Sequence, residues 1–153
     1  MANVLYTTSD AIRAAVGVTT KEIPDAMLRD QLLESQIRTD VYGWLPTHAT
    51  IYSEGTAATP TEEQIYKKDL LVHYCLFFGA VRVVEMIMAM RKKVSDGKSQ
   101  VERFDVDWEA LLEVLNARMG AAKDALEQLV NPSDGGTSYF SLATPNYDPV
   151  TNT

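Results

Sequence analysis

Gly97-Lys98-Ser99 is the run in this chain that most resembles a piece of chemistry. A Gly-Lys-Ser triplet closes the phosphate-binding loop of many nucleotide hydrolases, where backbone N–H groups and the lysine cradle the phosphates. That loop needs a glycine five residues before Gly97, and Lys92 stands there. It also follows a strand, whereas the residues before it here read as helix. Nucleotide binding is therefore set aside. Lys98 groups instead with Arg91, Lys92, Lys93 and Arg103 as a basic patch. Such a run is either a solvated face or a contact for an acidic partner surface or a DNA phosphate.

His48 and His73 are the two histidines, and they fall in different predicted elements without a spacing that suits a metal. His73, on a crowded helix, reads as a hydrogen-bonded interior or interface residue. Cys75 is the single cysteine, so an intrachain disulfide is excluded, and its apolar surroundings predict a buried, inert thiol. No Gly-x-Ser-x-Gly elbow is present, and the 21 carboxylates read mostly as helix-face charges. Met86, Met88 and Met90 form a soft stripe that suits core packing or a subunit contact better than a cofactor site. No catalytic set, metal or cofactor is expected.

The elements that would hold these residues are helices. Ser9 is the expected N-cap of a short first helix, with Ile12, Ala15 and Val16 on one face and Gly17 at its end. A second helix is expected from near Pro24, carrying Leu33, Ile37, Val41 and Trp44, and closed by Gly43 and Pro46. Residues 45–60 read as a long loop with a short extended piece at Ile51-Tyr52. Thr61-Glu62-Glu63-Gln64 is a capping box opening a third helix that runs past Met90, a span of about 45 Å for about thirty residues. Asp107 caps a fourth helix. Its apolar stripe is Trp108, Leu111, Leu112, Leu115, Met119, Ala122, Leu126 and Leu129. On its flank, Ala117, Gly120, Ala121 and Ala125 are small enough to allow close helix approach. Asn131-Pro132 stops it.

Leu70–Met90 has the length of a membrane span, but His73, Arg82 and Glu85 lie inside it. Each charge near a bilayer centre costs about 2.5–3.5 kcal/mol, and Arg82 and Glu85 are spaced to pair on one helix face. The segment is read as a central helix covered by its neighbours or by other subunits, with no membrane partner. A composition 46% hydrophobic and 23% charged describes a globular protein, and a net charge of −7 argues against a nucleic-acid-gripping surface. The opening residues lack the basic-then-apolar pattern of a secretory leader, so synthesis in the cytoplasm is expected. The fold class is thus all-α. It is a small bundle of about four helices with one long central helix over residues 1–130, and an extended C-terminal tail over 131–153.

That tail has three prolines, adjacent glycines and few residues able to build a core, so it either stays disordered or takes shape on another surface. Tyr139, Phe140, Leu142 and Tyr147 argue for the second outcome, since aromatic side chains supply large contact area at low entropic cost. Pro145 and Pro149 favour an extended backbone that lowers the cost of docking.

Two runs add a resemblance. Ser9-Asp10-Ala11-Ile12-Arg13-Ala14-Ala15-Val16-Gly17-Val18, followed by Lys21-Glu22-Ile23-Pro24-Asp25, looks like the start of head–tail connector (adaptor) proteins of tailed bacteriophages. Ser95-Asp96-Gly97-Lys98-Ser99 with Arg103-Phe104 after a long helix is similar too. The resemblance implies a homo-oligomeric ring, commonly dodecameric, in the virion neck between portal and tail. There it would extend the channel through which genomic DNA passes without sequence-specific binding, and give tail or neck proteins a platform. It also implies that Tyr139, Phe140, Leu142 and Tyr147 dock on the portal protein. Another neck or tail-completion protein, or a soluble helical regulatory module binding a peptide or small ligand, are the alternatives.

Overall fold

The computed structural model describes residues 3–24, 28, 31–94 and 106–131. The architecture is all-α, and among the described residues it comprises five helices and one small hairpin: β1 (Asn3–Val4), β2 (Thr7–Thr8), α1 (Ser9–Val16), α2 (Gln31–Trp44), α3 (His48–Gly55), α4 (Glu62–Val94) and α5 (Trp108–Val130). Strands β1 and β2 pair antiparallel, Asn3 with Thr8 and Val4 with Thr7, so Leu5-Tyr6 is a two-residue turn. Tyr6 takes φ 59°, a left-handed conformation that glycine or asparagine usually fills at this turn position.

Thr8, not Ser9, caps α1. Its extended backbone lets the Thr8 hydroxyl accept from the Ala11 N–H at 3.2 Å. Ser9 has become the first helical residue, fully buried, and its Oγ has no hydrogen-bond partner. Gly17, at φ 77°, ends the helix as expected. Its N–H donates to Ala14 O and the Val18 N–H donates to Arg13 O, which satisfies two of the last carbonyls.

The described part of α2 starts at Gln31, and a start near Pro24 falls at the edge of the described residues. Leu33, Ile37 and Val41 are buried as their spacing predicts, while Trp44 is half-buried and Leu45 takes the last core position. The expected loop over 45–60 is corrected by α3, which includes Ile51 and Tyr52. The reason is tertiary. Ile51 buries its side chain, and Gly55 brings α3 against α4 so closely that a Cβ there would lie 2.4 Å from Lys68 Cβ and 2.8 Å from the Gln64 carbonyl. Packing against a neighbour stabilises a helix that its own residues would not specify.

The capping box opening α4 forms in both directions. Gln64 N–H donates to Thr61 Oγ1 at 3.2 Å and Thr61 N–H donates to Gln64 Oε1 at 2.9 Å. Helix α4 is the axis of the molecule. Leu70, Leu71, Tyr74, Cys75, Phe78, Ala80, Val81, Val83 and Val84 are all buried along it, and α1, α2, α3 and α5 each pack on it. Glu62–Ala89 is long and apolar enough to cross a membrane, and 56% of its most apolar window is buried inside the bundle. At Gly79 an added Cβ would meet Ile12 Cδ1 at 2.7 Å, which is how α1 comes so near.

Asp107 caps α5, accepting from the Ala110 N–H at 3.0 Å. Leu115, Ala122 and Leu126 are buried, and Trp108, Leu111, Leu112, Met119 and Leu129 are half-buried around them. Of the small flank, Ala125 packs against the core as expected, but the rest does not make a close approach. Ala117 and Ala121 are exposed and a Cβ on Gly120 would meet nothing within 4 Å, so the close helix approaches lie at Gly55 and Gly79 instead.

Candidate functional site

Of the residues singled out in the sequence, Tyr139, Phe140, Leu142, Tyr147, Lys98 and Arg103 lie outside the described residues. Arg91, Lys92 and Lys93 occupy the last turns of α4, with only their backbone described. Arg82 and Glu85 pair at 2.8 Å on the exposed side of α4, and the Arg82 guanidinium sits 5.1 Å from the centre of the Phe78 ring. Met86 and Met88 are half-buried against the core. His73 is not interior. It lies exposed on α4 with its ring 6.2 Å from that of Phe77. Cys75 is fully buried, and burial together with the Asp40 carboxylate pushes its thiol pKa up to about 12, so it stays protonated and unreactive.

Three constellations stand out. The first is the motif at the N-terminus. Arg13 is only 3% exposed, its Nε donates to the Ile23 carbonyl at 2.8 Å, and its guanidinium pairs with Asp10 at 2.6 Å. Thr19 reinforces the same turn, its N–H and hydroxyl both donating to a Glu22 carboxylate oxygen at 2.7 Å. The two halves of the run from Ser9 to Asp25 are therefore joined by a buried, charge-assisted bond. No local spacing announces this arginine, because its partner is a backbone carbonyl ten residues on.

The second links α2, α4 and α5. Tyr74 OH donates to Asp40 Oδ2 in a short bond, and the Tyr74 ring meets Trp44 edge-on at 4.9 Å. Burial, then that hydrogen bond and the Asp40 charge, raise the Tyr74 pKa, so the phenol remains a donor. Lys123 from α5 lies 5.2 Å from the Trp44 ring centre. These contacts tie three helices together.

The third surrounds His48. The Tyr6 oxygen lies 2.7 Å from His48 Nδ1, the Tyr6 ring stacks on Tyr52 at 4.3 Å, and the exposed Tyr42 presents its ring to His48 at 6.3 Å. The aromatic residues come from three elements, so no local spacing announces the cluster. Among the described residues no group of three His, Cys, Asp or Glu side chains is placed to hold a metal.

Two surface features could receive a partner. An open groove of about 400 Å³ runs between α2 and α4, lined by Leu28, Leu32, Leu33, Gln36, Val83 and Met86 and edged by the Arg82–Glu85 pair. Large apolar side chains are also exposed on three helices: Leu32 (59%) and Tyr42 (63%) on α2, Tyr66 (54%) on α4 and Val114 (47%) on α5. The chain matches no protein-family model, no curated protein and no solved structure.

Proposed function

We propose that this chain is a structural subunit of a tailed-phage neck, an adaptor that assembles as a ring beneath the portal and gives tail or neck proteins a platform. The observation that carries this reading is the placement of Leu32, Tyr42, Tyr66 and Val114, exposed across three helices of a bundle whose core is otherwise well buried. A ring subunit must offer a surface to each of two neighbours, and apolar side chains exposed on more than one helix suit that need. The buried Arg13–Ile23 clamp adds support, because it makes one structural unit of the N-terminal run on which the adaptor resemblance rests. The residues Tyr139, Phe140, Leu142 and Tyr147 then serve as the hook for the portal. A net charge of −7 lets DNA pass through a channel without adhering. The role is structural, without catalysis or cofactor.

A second reading, a helical module that binds a peptide or small ligand, is favoured by the groove between α2 and α4. Light scattering on the chain with a phage portal protein separates the two. The adaptor should form a large complex, and deletion of residues 131–153 should leave the bundle folded while reducing portal binding at least about tenfold. A persistent monomer or dimer in the presence of portal overturns the adaptor, and full-strength portal binding by the truncated chain overturns the hook.

A further inference from the structure

The groove between α2 and α4 is built to hold apolar side chains. Leu28, Leu33 and Val83 are buried along it, while Leu32 stands 59% exposed and Met86 is half-buried. Gln36 and the Arg82–Glu85 pair add polar groups at its edge. A volume of about 400 Å³ suits a pair of anchoring side chains better than the flank of a helix about 10–12 Å across. Residues 132–153 contain such a pair, for Phe140 and Leu142 are their two largest side chains without a polar atom. Extended backbone puts residues two apart on one side, about 7 Å from each other, and turns Tyr139 and Ser141 to the other. We propose that this groove is the dock for Phe140-Ser141-Leu142 of a second copy of the chain, held there until a portal claims the same side chains. Met86 suits the Phe140 ring, because a thioether makes favourable contacts at an aromatic edge. Gln36 and Arg82 supply N–H donors for the carbonyls of a segment that has no partner strand.

The course of α5 decides between the chain's own tail and a neighbour's. Arg118 lies 5.9 Å from the Phe77 ring centre, and Lys123, further along, reaches Trp44, which packs on Tyr74. Helix α5 therefore runs antiparallel to α4. Asn131 then lies about 12 Å past the level of Tyr74, at 1.5 Å per residue, and Val83 and Met86 lie about 13–18 Å the other way. The separation along the axis is about 25–30 Å, before the chain has passed around the bundle to the α2 side. The nine steps from Asn131 to Phe140 reach at most about 30–32 Å when fully extended. Phe140 thus falls short of its own groove, while a neighbour's groove carries no such limit. Which copies meet rests on the ring reading above, in which each subunit lies beside two others.

The test is photo-cross-linking on the full chain, with a benzophenone side chain in place of Phe140, in an equal mixture of isotopically light and heavy copies and without portal. Mass spectrometry should find the probe joined to peptides carrying Leu32 or Met86, with light–heavy pairs as common as random mixing of copies gives. Leu32→Glu changes a side chain that is 59% exposed, so the bundle keeps its core, and it should cut the yield at these peptides at least about tenfold. Cross-links confined to copies of one isotope overturn docking on a second copy. Cross-links elsewhere on the bundle, none at all, or a yield indifferent to Leu32→Glu overturn the groove as the dock. Because no portal is present, a failure here leaves the portal result of the adaptor reading standing, and a chain that ignores portal is still able to pass.

Discussion

At the start of α1 two adjacent hydroxyls should respond differently to removal. Thr8 makes the capping bond to the Ala11 N–H, whereas Ser9 is fully buried with an unpartnered Oγ. Thr8→Ala should cost about 0.5–2 kcal/mol, the usual loss for an N-cap. Ser9→Ala removes a buried polar atom that has no partner, so it should fall within about 0.5 kcal/mol of the parent or exceed it. Urea midpoints of the two variants measure this, with equal slopes confirming that only stability changed. Should Ser9→Ala be the more damaging, the cap belongs to Ser9 after all. From the sequence the cap is expected at Ser9, and the structure places it at Thr8. What separates them is the hairpin register, which sets Thr8 in extended backbone as the last strand residue.

Among the elements, α3 and α5 carry glycines of opposite consequence. A Cβ at Gly55 would meet the Gln64 carbonyl at 2.8 Å and Lys68 Cβ at 2.4 Å, so Gly55→Ala should push α3 off α4 and cost about 1–3 kcal/mol. Gly120, inside α5 with nothing within 4 Å of its Cβ position, should gain up to about 1 kcal/mol as alanine. Thermal unfolding of both variants checks the pair, and a stabilised Gly55→Ala would sink the account of α3 packing. These two glycines also show what was legible. The starts of α4 and α5 could be read from Thr61, Gln64 and Asp107, because a cap is a bond between residues three apart. Helix α3 could not, since Thr50, Ser53 and Gly55 are turn-forming residues and its stability comes from contacts with Gln64 and Lys68 on another helix. The hairpin was equally silent, because its turn places a tyrosine where glycine is the usual signal. In the site, Arg82–Glu85 was legible at a spacing of three, while Tyr6–His48 and Asp40–Tyr74 join residues 42 and 34 apart and leave no local pattern.

For the whole molecule the decisive feature is that α1, α2, α3 and α5 pack on α4 and touch one another little. Among the described residues the side-chain ties that reach across on the α4 framework include Tyr6 with His48 and Tyr52, Tyr42 with His48, and Lys123 over Trp44. Such an arrangement makes the free energies of distant substitutions independent. Thr8→Ala on α1 and Asp107→Ala on α5 share no contact, so the double variant should equal the sum of the singles within about 0.5 kcal/mol in equilibrium unfolding. Thr8→Ala combined with Gly55→Ala should depart from the sum by more than that, because the hairpin and α3 are joined by the His48 bond. Damage in this fold therefore accumulates by simple addition around a single axle, and interacts only where one satellite reaches across to another.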